Sequence, residues 1–222
     1  MPARELGFVG SQKLANVKGL YLEGIRDGKA REAVARYTGD RYTQHSTGEA
    51  QWVTADIFDT DERDRIVEHW DVIQAFEPKT ASGRSTIDGA TDVVDLDQTD
   101  ANKKIVAALF DEVLLGGNIG KLGDFISTEH YAQHSPQMAD GLTGINRFLF
   151  DSSTSGDYPH YHKCHRLIGQ GDFVVTLSEQ KTVSQDLAVI DIFRLDGEKL
   201  VEHWDVCEPI LPREAWGNSG KF

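Results

Sequence analysis

The chain has 222 residues, 39% of them apolar, which suits one large or two small domains with a buried core. Its 23 basic and 36 acidic residues give a formal charge of −13, which repels phosphate backbones and anionic lipid and argues against a nucleic-acid partner. Residues 1–6 are not a cationic segment leading into an apolar run, and no stretch approaches the roughly 18–20 apolar residues that span a bilayer. The expectation is a globular, cytoplasmic protein with no membrane partner.

In chain order, apolar residues at three- and four-residue spacing predict short helices over 14–26 and 30–37, separated by Asp27-Gly28. The string Tyr42-Thr43-Gln44-His45-Ser46 follows, then Asp56-Ile57-Phe58 and Glu68-His69-Trp70-Asp71-Val72. Residues 76–99 are rich in Thr, Ser, Gly and Asp without sustained periodicity and read as a linker. The acidic run 92–100 inside it lacks the spacing and glycine of a calcium loop and reads as solvated. Asp100 is a candidate N-cap for a helix whose stripe, Ile105, Val106, Leu109, Phe110, Val113 and Leu114, stops at Gly116-Gly117. A short helix near 122–126 precedes Tyr131-Ala132-Gln133-His134-Ser135, and 144–150 has helical character. The period then changes, and 158–168, 173–183, 187–195 and 200–210 read as four strands joined by turns at 169–172 and 196–198. Residues 212–222 are expected to pack as an irregular arm or to fray.

Two strings recur. Glu-His-Trp-Asp-Val occurs at 68–72 and 202–206, each time after Asp-Ile-Phe and a polar turn, and Tyr-x-Gln-His-Ser occurs at 42–46 and 131–135. Recurrence of both implies a duplicated module. Asp191 lies 57 positions after His134 (191 − 134), whereas Asp56 lies 11 after His45 (56 − 45), so the first copy lacks 57 − 11 = 46 residues of interior. The expected organisation is a shortened copy over 1–75, the linker 76–99, a complete α+β copy over 100–211 and the tail 212–222.

Strand alternation places Val201, His203 and Asp205 on one face of the last strand, with Glu202, Trp204 and Val206 on the other. An imidazole beside a carboxylate suits proton transfer at neutral pH, provided that face looks into a pocket rather than into solvent. Tyr131 and His134, three apart, share a side if they sit on a helical turn and would line the same cavity; alternatively His134 ends a helix before Pro136. Ser135 lacks the Gly-x-Ser-x-Gly frame of a nucleophile. His160, His162 and Cys164 would align on one strand face, but no further donor is identifiable, so no metal is expected. Cys164 and Cys207 lack metal or redox spacing and are expected as inert thiols. Glu179, Lys181 and Asp191 are individually uninformative.

The combination of Tyr-x-Gln-His-Ser-Pro early and Asp-Ile-Phe-Arg-x-Asp-Gly-x-Lys-Leu-Val-Glu-His-Trp-Asp-Val late resembles the SnoaL-like polyketide cyclase group, including proteins assigned to aldol condensation. The resemblance covers nearly all of 100–222 and both ends of the first copy. It implies the cone-shaped α+β fold of nuclear transport factor 2, scytalone dehydratase and ketosteroid isomerase, with helices over the concave face of a bent sheet. It also implies a pocket aspartate as acid and base without metal or organic cofactor. That role falls on Asp205, with His203 and His134 as orienting or relay partners and Tyr131 as a hydrogen-bond donor to an enolate oxygen. Thr176 and Ser178 stand where similar proteins often show histidine. The outer sheet faces of such folds pack together, so the duplication implies a pseudo-dimer within one chain, with Trp52, Trp70 and Trp204 as contact candidates and further homo-oligomerisation through an open hairpin edge. Phe148, Phe150, Phe173 and Phe193 are candidate lining or core residues.

Two function classes follow. One is an enzyme acting beside a carbonyl of a small apolar molecule, by aldol cyclisation, isomerisation or dehydration. The other is a non-catalytic small-ligand or dimerisation module. The first requires His134, His203 and Asp205 to converge within hydrogen-bond reach in one cavity.

Overall fold

The computed structural model of the protein describes residues 4–21, 23, 29–39 and 52–222. The Asp27-Gly28 break, Tyr42, His45, Ser46 and Gln51 lie outside the described residues. The chain divides into two compact units. Helices α1 (Arg4–Tyr21) and α2 (Ala30–Tyr37) belong to the first, together with residues 56–71 and 218–221. Its core is Leu20, Ala33 and Ile66, with Val17, Tyr37 and Phe58 packed on them. Strands β1 (Trp52–Thr60) and β2 (Ile66–Ala75) pair as a two-stranded sheet. Between them, the Asp61 carboxylate accepts the backbone N–H groups of Arg63 and Arg65, an Asx-type closure of the turn. Among the described residues no helix is long and apolar enough to cross a membrane.

The second unit holds residues 72–217, with 52–55 and 222 among the described residues. It opens with α3 (Thr99–Leu109), which runs on through a wider π turn at Phe110–Leu114, and continues with α4 (Leu122–Phe125), the short β3 (Ala132–Gln133) and α5 (Gly141–Ser155). Four long strands follow: β4 (His160–Gln170), β5 (Phe173–Lys181), β6 (Asp186–Asp196) and β7 (Lys199–Pro209). The sheet order is β3-β7-β6-β5-β4, with β3 parallel to β7 and the rest an antiparallel meander. Register shifts in β4 at Tyr161/Lys163 and Cys164/Arg166, and between Arg194 and Leu195 of β6, add twist and bend to the sheet. The result is the α+β arrangement, helices over one face of a curved antiparallel sheet, expected for the nuclear transport factor 2-like fold. The helical stripe read from the sequence is its core: Val106, Leu109, Phe110 and Val113 are buried against Val174, Phe193, Leu195 and Leu200. Each such side chain contributes about 1.5–3 kcal/mol by leaving water.

Residues 76–99 are not a spacer leading away from the sheet. They form a strap on this unit's own surface, because their side chains and backbone bond to β3, to Trp204 and to Asp172. The Ser82 hydroxyl donates to the Gln133 carbonyl, the Trp204 indole donates to the Asp88 carbonyl, and Val94 and Asp172 exchange hydrogen bonds. Irregular sequence here means irregular but satisfied backbone.

Gly171 shows how tightly the strap is docked. Its φ is +59°, and a Cβ there would run into the Val94 carbonyl. Gly197, in the β6–β7 turn at φ +58°, has open space around it. Gly171→Ala is expected to cost more than about 2 kcal/mol, from left-handed backbone plus overlap, and Gly197→Ala only about 1 kcal/mol, from backbone alone. Urea denaturation of the two variants checks the ordering.

Candidate active site

The inner face of β7 carries His203, Asp205 and Cys207, and all three line a cavity of about 670 Å³ between the sheet and the helices. That is within the size range of small-molecule sites. Its walls are apolar, including Leu109, Val113, Ile145, Leu149 and Phe193, and its floor is polar: Tyr131, Gln133, Ser135, His203 and Asp205. Strand β3 supplies part of that floor. It is extended and in register with β7, Ala132 opposite Glu202 and Gln133 opposite His203, so Tyr131, Gln133 and Ser135 all point inward.

His203 is held at both ring nitrogens. Nε2 lies 3.1 Å from Asp191 Oδ1 and Nδ1 lies 2.9 Å from Gln133 Oε1, while the ring stacks on Phe193 at 4.9 Å. Gln133 Oε1 also accepts the Ser135 backbone N–H at 3.0 Å, which fixes that atom as the amide oxygen. The ring is therefore held at both nitrogens, with Nδ1 facing an acceptor oxygen. Asp191, 1% exposed, also accepts from the Tyr161 hydroxyl at 2.9 Å and from Thr176 at 3.3 Å. The carboxylate bonded to His203 is thus Asp191 on β6, and Asp205 is left for the cavity.

Asp205 is half-buried and lines the cavity. Burial raises its pKa above the ordinary aspartate value; the positive side of His203 lowers it and the Asp191 carboxylate raises it again. Oδ1 is buried without a hydrogen-bond partner among the described residues. Burial, then the charges of Asp191 and Asp205, pushes the Tyr131 hydroxyl well above the usual phenol range, and burial with Asp191 does the same for Tyr161. Both stay neutral donors. The Cys207 thiol is likewise pushed up by burial and by Asp205, so it stays protonated and a poor nucleophile.

His134 is not in the cavity. The segment is a strand rather than a helical turn, so residues three apart fall on opposite faces. His134 is buried behind the sheet, stacked on Trp204 at 4.6 Å, with Nδ1 2.8 Å from Asp88 Oδ1 and Nε2 2.9 Å from Glu202 Oε1. Trp204 is covered by this histidine and by the strap's Asp88. The expected convergence of His134, His203 and Asp205 is therefore replaced by Tyr131, Gln133, Ser135, His203 and Asp205. Gln133 and Asp191 were missed. A signal for Asp191 existed: Asp-Ile-Phe precedes both Glu-His-Trp-Asp-Val strings, and in the first unit Asp56 is 2.7 Å from His69, with Phe58 stacked on that ring at 4.3 Å.

His160, His162 and Cys164 do not align, because the two β4 register shifts break strand alternation; the Cys164 thiol donates to the Arg166 carbonyl. Among the described residues no group of three or more His, Cys, Asp or Glu side chains is placed to hold a metal ion. Phe148 and Phe193 line the cavity, Phe150 is exposed, and Phe173 lies near Trp204.

No protein-family model matches the sequence, and no curated protein matches it. Solved structures are similar over about half of the chain. A candidate polyketide cyclase from Streptomyces antibioticus is 14% identical, with 48% of this chain and 91% of that one covered at a TM-score of 0.40. A candidate ketosteroid isomerase from Kribbella flavida is 15% identical over 55% of this chain and 90% of that one, at a TM-score of 0.43. A nuclear transport factor 2-like protein from Burkholderia xenovorans is 16% identical over 50% of this chain and 91% of that one, at a TM-score of 0.39. These are likenesses of fold, and the chemistry rests on the cavity's own residues.

A raised aspartate pKa has a cost in stability. For an acid whose folded value lies above its unfolded value, the favourable contribution is complete below the unfolded pKa and is lost as pH rises through the folded one. Asp205→Asn is therefore expected to raise the melting temperature at neutral pH, by about 2–4 °C for each kcal/mol relieved. The gain should shrink as the pH falls to the ordinary aspartate range, where wild-type Asp205 is protonated too. Thermal scans of both proteins across that window test this.

Proposed function

We propose that the chain is a small-molecule enzyme that removes a proton from carbon beside a carbonyl, with Asp205 as the base. One observation carries the reading: a carboxylate with an unpartnered oxygen stands in an apolar-walled cavity, with its pKa raised toward the working range of a general base. The C–H proton passes to Asp205, and its electron pair moves onto the carbonyl to give an enolate. The Tyr131 hydroxyl, neutral and in the same cavity, is the donor available to the enolate oxygen. The His203 ring, with both nitrogens hydrogen-bonded, is held in place beside the base. Reprotonation at another carbon gives isomerisation, attack on a second carbonyl gives aldol cyclisation, and loss of a β-hydroxyl gives dehydration; the substrate decides which.

A second reading is a ligand-binding module without turnover. It is favoured by the way His203, Gln133 and Ser135 satisfy one another, leaving only Asp205 and the Tyr131 proton for a ligand.

A simple probe separates them. 2-Tetralone, a bicyclic ketone small enough for the cavity, should exchange its α-protons for deuterium in D2O faster with wild-type protein than without it. Asp205→Asn should lower the protein-dependent rate about 100-fold or more. Proton NMR follows the exchange, and equal rates for the two proteins would remove Asp205 as the base.

A further inference from the structure

We infer that Gln74, near the end of β2, is a positioning residue for Asp205: its side-chain amide clamps the open edge of β7 at Asp205 and so keeps the carboxylate aimed into the cavity. The inference rests on the proposed reading of Asp205 as the base. Its basis is the hydrogen bonding of β7. One edge of that strand is paired with β6 from Lys199 to Pro209. On the other edge β3 stops at Gln133, opposite His203, and the His203 carbonyl accepts the His134 N–H. In a strand the N–H and C=O of one residue point to one edge and those of the next residue to the other. Asp205 and Cys207 therefore present their backbone groups to the same edge as His203, beyond the end of β3. Gln74 fills that edge. Its Nε2 donates to the Asp205 carbonyl at 3.0 Å, and its Oε1 accepts the Cys207 N–H at 3.0 Å. Only the amide nitrogen donates, so the two bonds together give the carboxamide one orientation.

The contact is reciprocal. Cys207 donates its N–H to the Gln74 side chain, and Ile73 donates its N–H to Glu208 Oε2 at 3.0 Å. Gln74 and Glu208 each stand six positions after the glutamate of their Glu-His-Trp-Asp-Val string (74 − 68 and 208 − 202), and Ile73 and Cys207 each stand five after it. Matching residues thus exchange matching bonds, as they do across a twofold contact. Residues 72–75 belong with the second unit, and Gln74 lines its cavity together with Asp205 and Cys207. The end of β2 is part of the wall of the site. On a strand the direction of a side chain follows the peptide planes on either side of it. The plane between Asp205 and Val206 is held at its carbonyl by Gln74 and faces β6 at its N–H, and the next plane is held by Gln74 at the Cys207 N–H. Without the amide both planes are held from β6 alone, and the edge beside the carboxylate opens to water. Proton transfer is sensitive to such a loss, because a misplacement of about 1 Å costs up to about 100-fold in rate.

Two variants test this. Gln74→Met keeps the volume and removes both bonds, whereas Gln74→Asn keeps both polar groups but is one methylene too short to bridge them. In the tetralone exchange assay, run well below each melting temperature, each should lower the maximal rate about 10-fold with little change in the half-saturating concentration. A second readout needs no turnover. Carbon NMR of carboxyl-labelled aspartate should show the raised pKa of Asp205 falling toward the ordinary aspartate value in both variants, as water enters by the opened edge. The titratable groups around Asp205 are His203 and Cys207 on β7, Asp191 on β6, Tyr161 on β4 and Tyr131. All five are the same in the three proteins, so the change reports the edge. A Gln74 that merely stabilised the fold would lower the melting temperature and move neither the maximal rate nor the pKa. If wild-type protein gives no exchange but the Asp205 pKa falls in the variants, the base assignment fails and the positioning role stands. If the Asp205 pKa in both variants equals that of wild type, the positioning role is overturned.

Discussion

The register of two residues against β7 is the constraint on which the rest of the site depends. Because β3 runs parallel to β7 with Gln133 opposite His203, alternation sends Tyr131, Gln133 and Ser135 into the cavity and His134 out behind the sheet. A shift of one residue would exchange the two sets and bring a histidine inside in place of a carboxamide. The register is held from both sides. On the inner face Gln133 bonds to His203; on the outer face His134 is bracketed by Asp88 and Glu202, and Arg194 donates to the second oxygen of Glu202 at 2.8 Å. The His134 N–H also donates to the His203 carbonyl at 2.9 Å, so backbone and side chains agree on the same alignment.

That double clamp gives the strap a role beyond covering a face. Its Ser82 hydroxyl donates to the Gln133 carbonyl and its Ala81 N–H to the Pro136 carbonyl, so the residues on either side of His134 are tied from outside while their side chains work inside. A two-residue strand at the end of a sheet has little hydrogen bonding of its own. The strap supplies what the strand cannot, and explains why a segment without periodicity is nevertheless ordered.

Much of the fold was legible from the sequence. The four long strands, the helical stripe from Ile105 to Leu114 and the shared inward face of His203 and Asp205 follow from periodicity, and the structure places them where periodicity says. The site was less legible. The role of His134 turned on whether 131–135 is helix or strand, and five residues before a proline carry no period long enough to decide. Gln133 meets His203 from 70 positions away, which spacing along one chain does not encode, whereas Asp191 lies one hairpin before His203. The strap was read as a linker because turn-forming residues look alike whether their partners are water or a sheet. The resemblance to the polyketide cyclase group points to Asp205, which lines the cavity, and to His134, which lies outside it.

The repeated string shows how little of the chemistry belongs to the motif itself. In both units a hairpin brings histidine, aspartate and phenylalanine together: His69 with Asp56 and Phe58, and His203 with Asp191 and Phe193. The fifth position then has two electrostatic outcomes. Asp71, 2% exposed, has the Lys221 ammonium 3.8 Å from its carboxylate, with the same ammonium donating to its backbone carbonyl. Asp205 has no lysine or arginine among the residues lining its cavity, and the neighbouring His203 is already bonded to Asp191. Burial beside the apolar cavity raises the pKa of Asp205. The surroundings therefore separate a structural aspartate from a candidate base within one repeated pentapeptide, and the helices over β7 turn the second occurrence into a site.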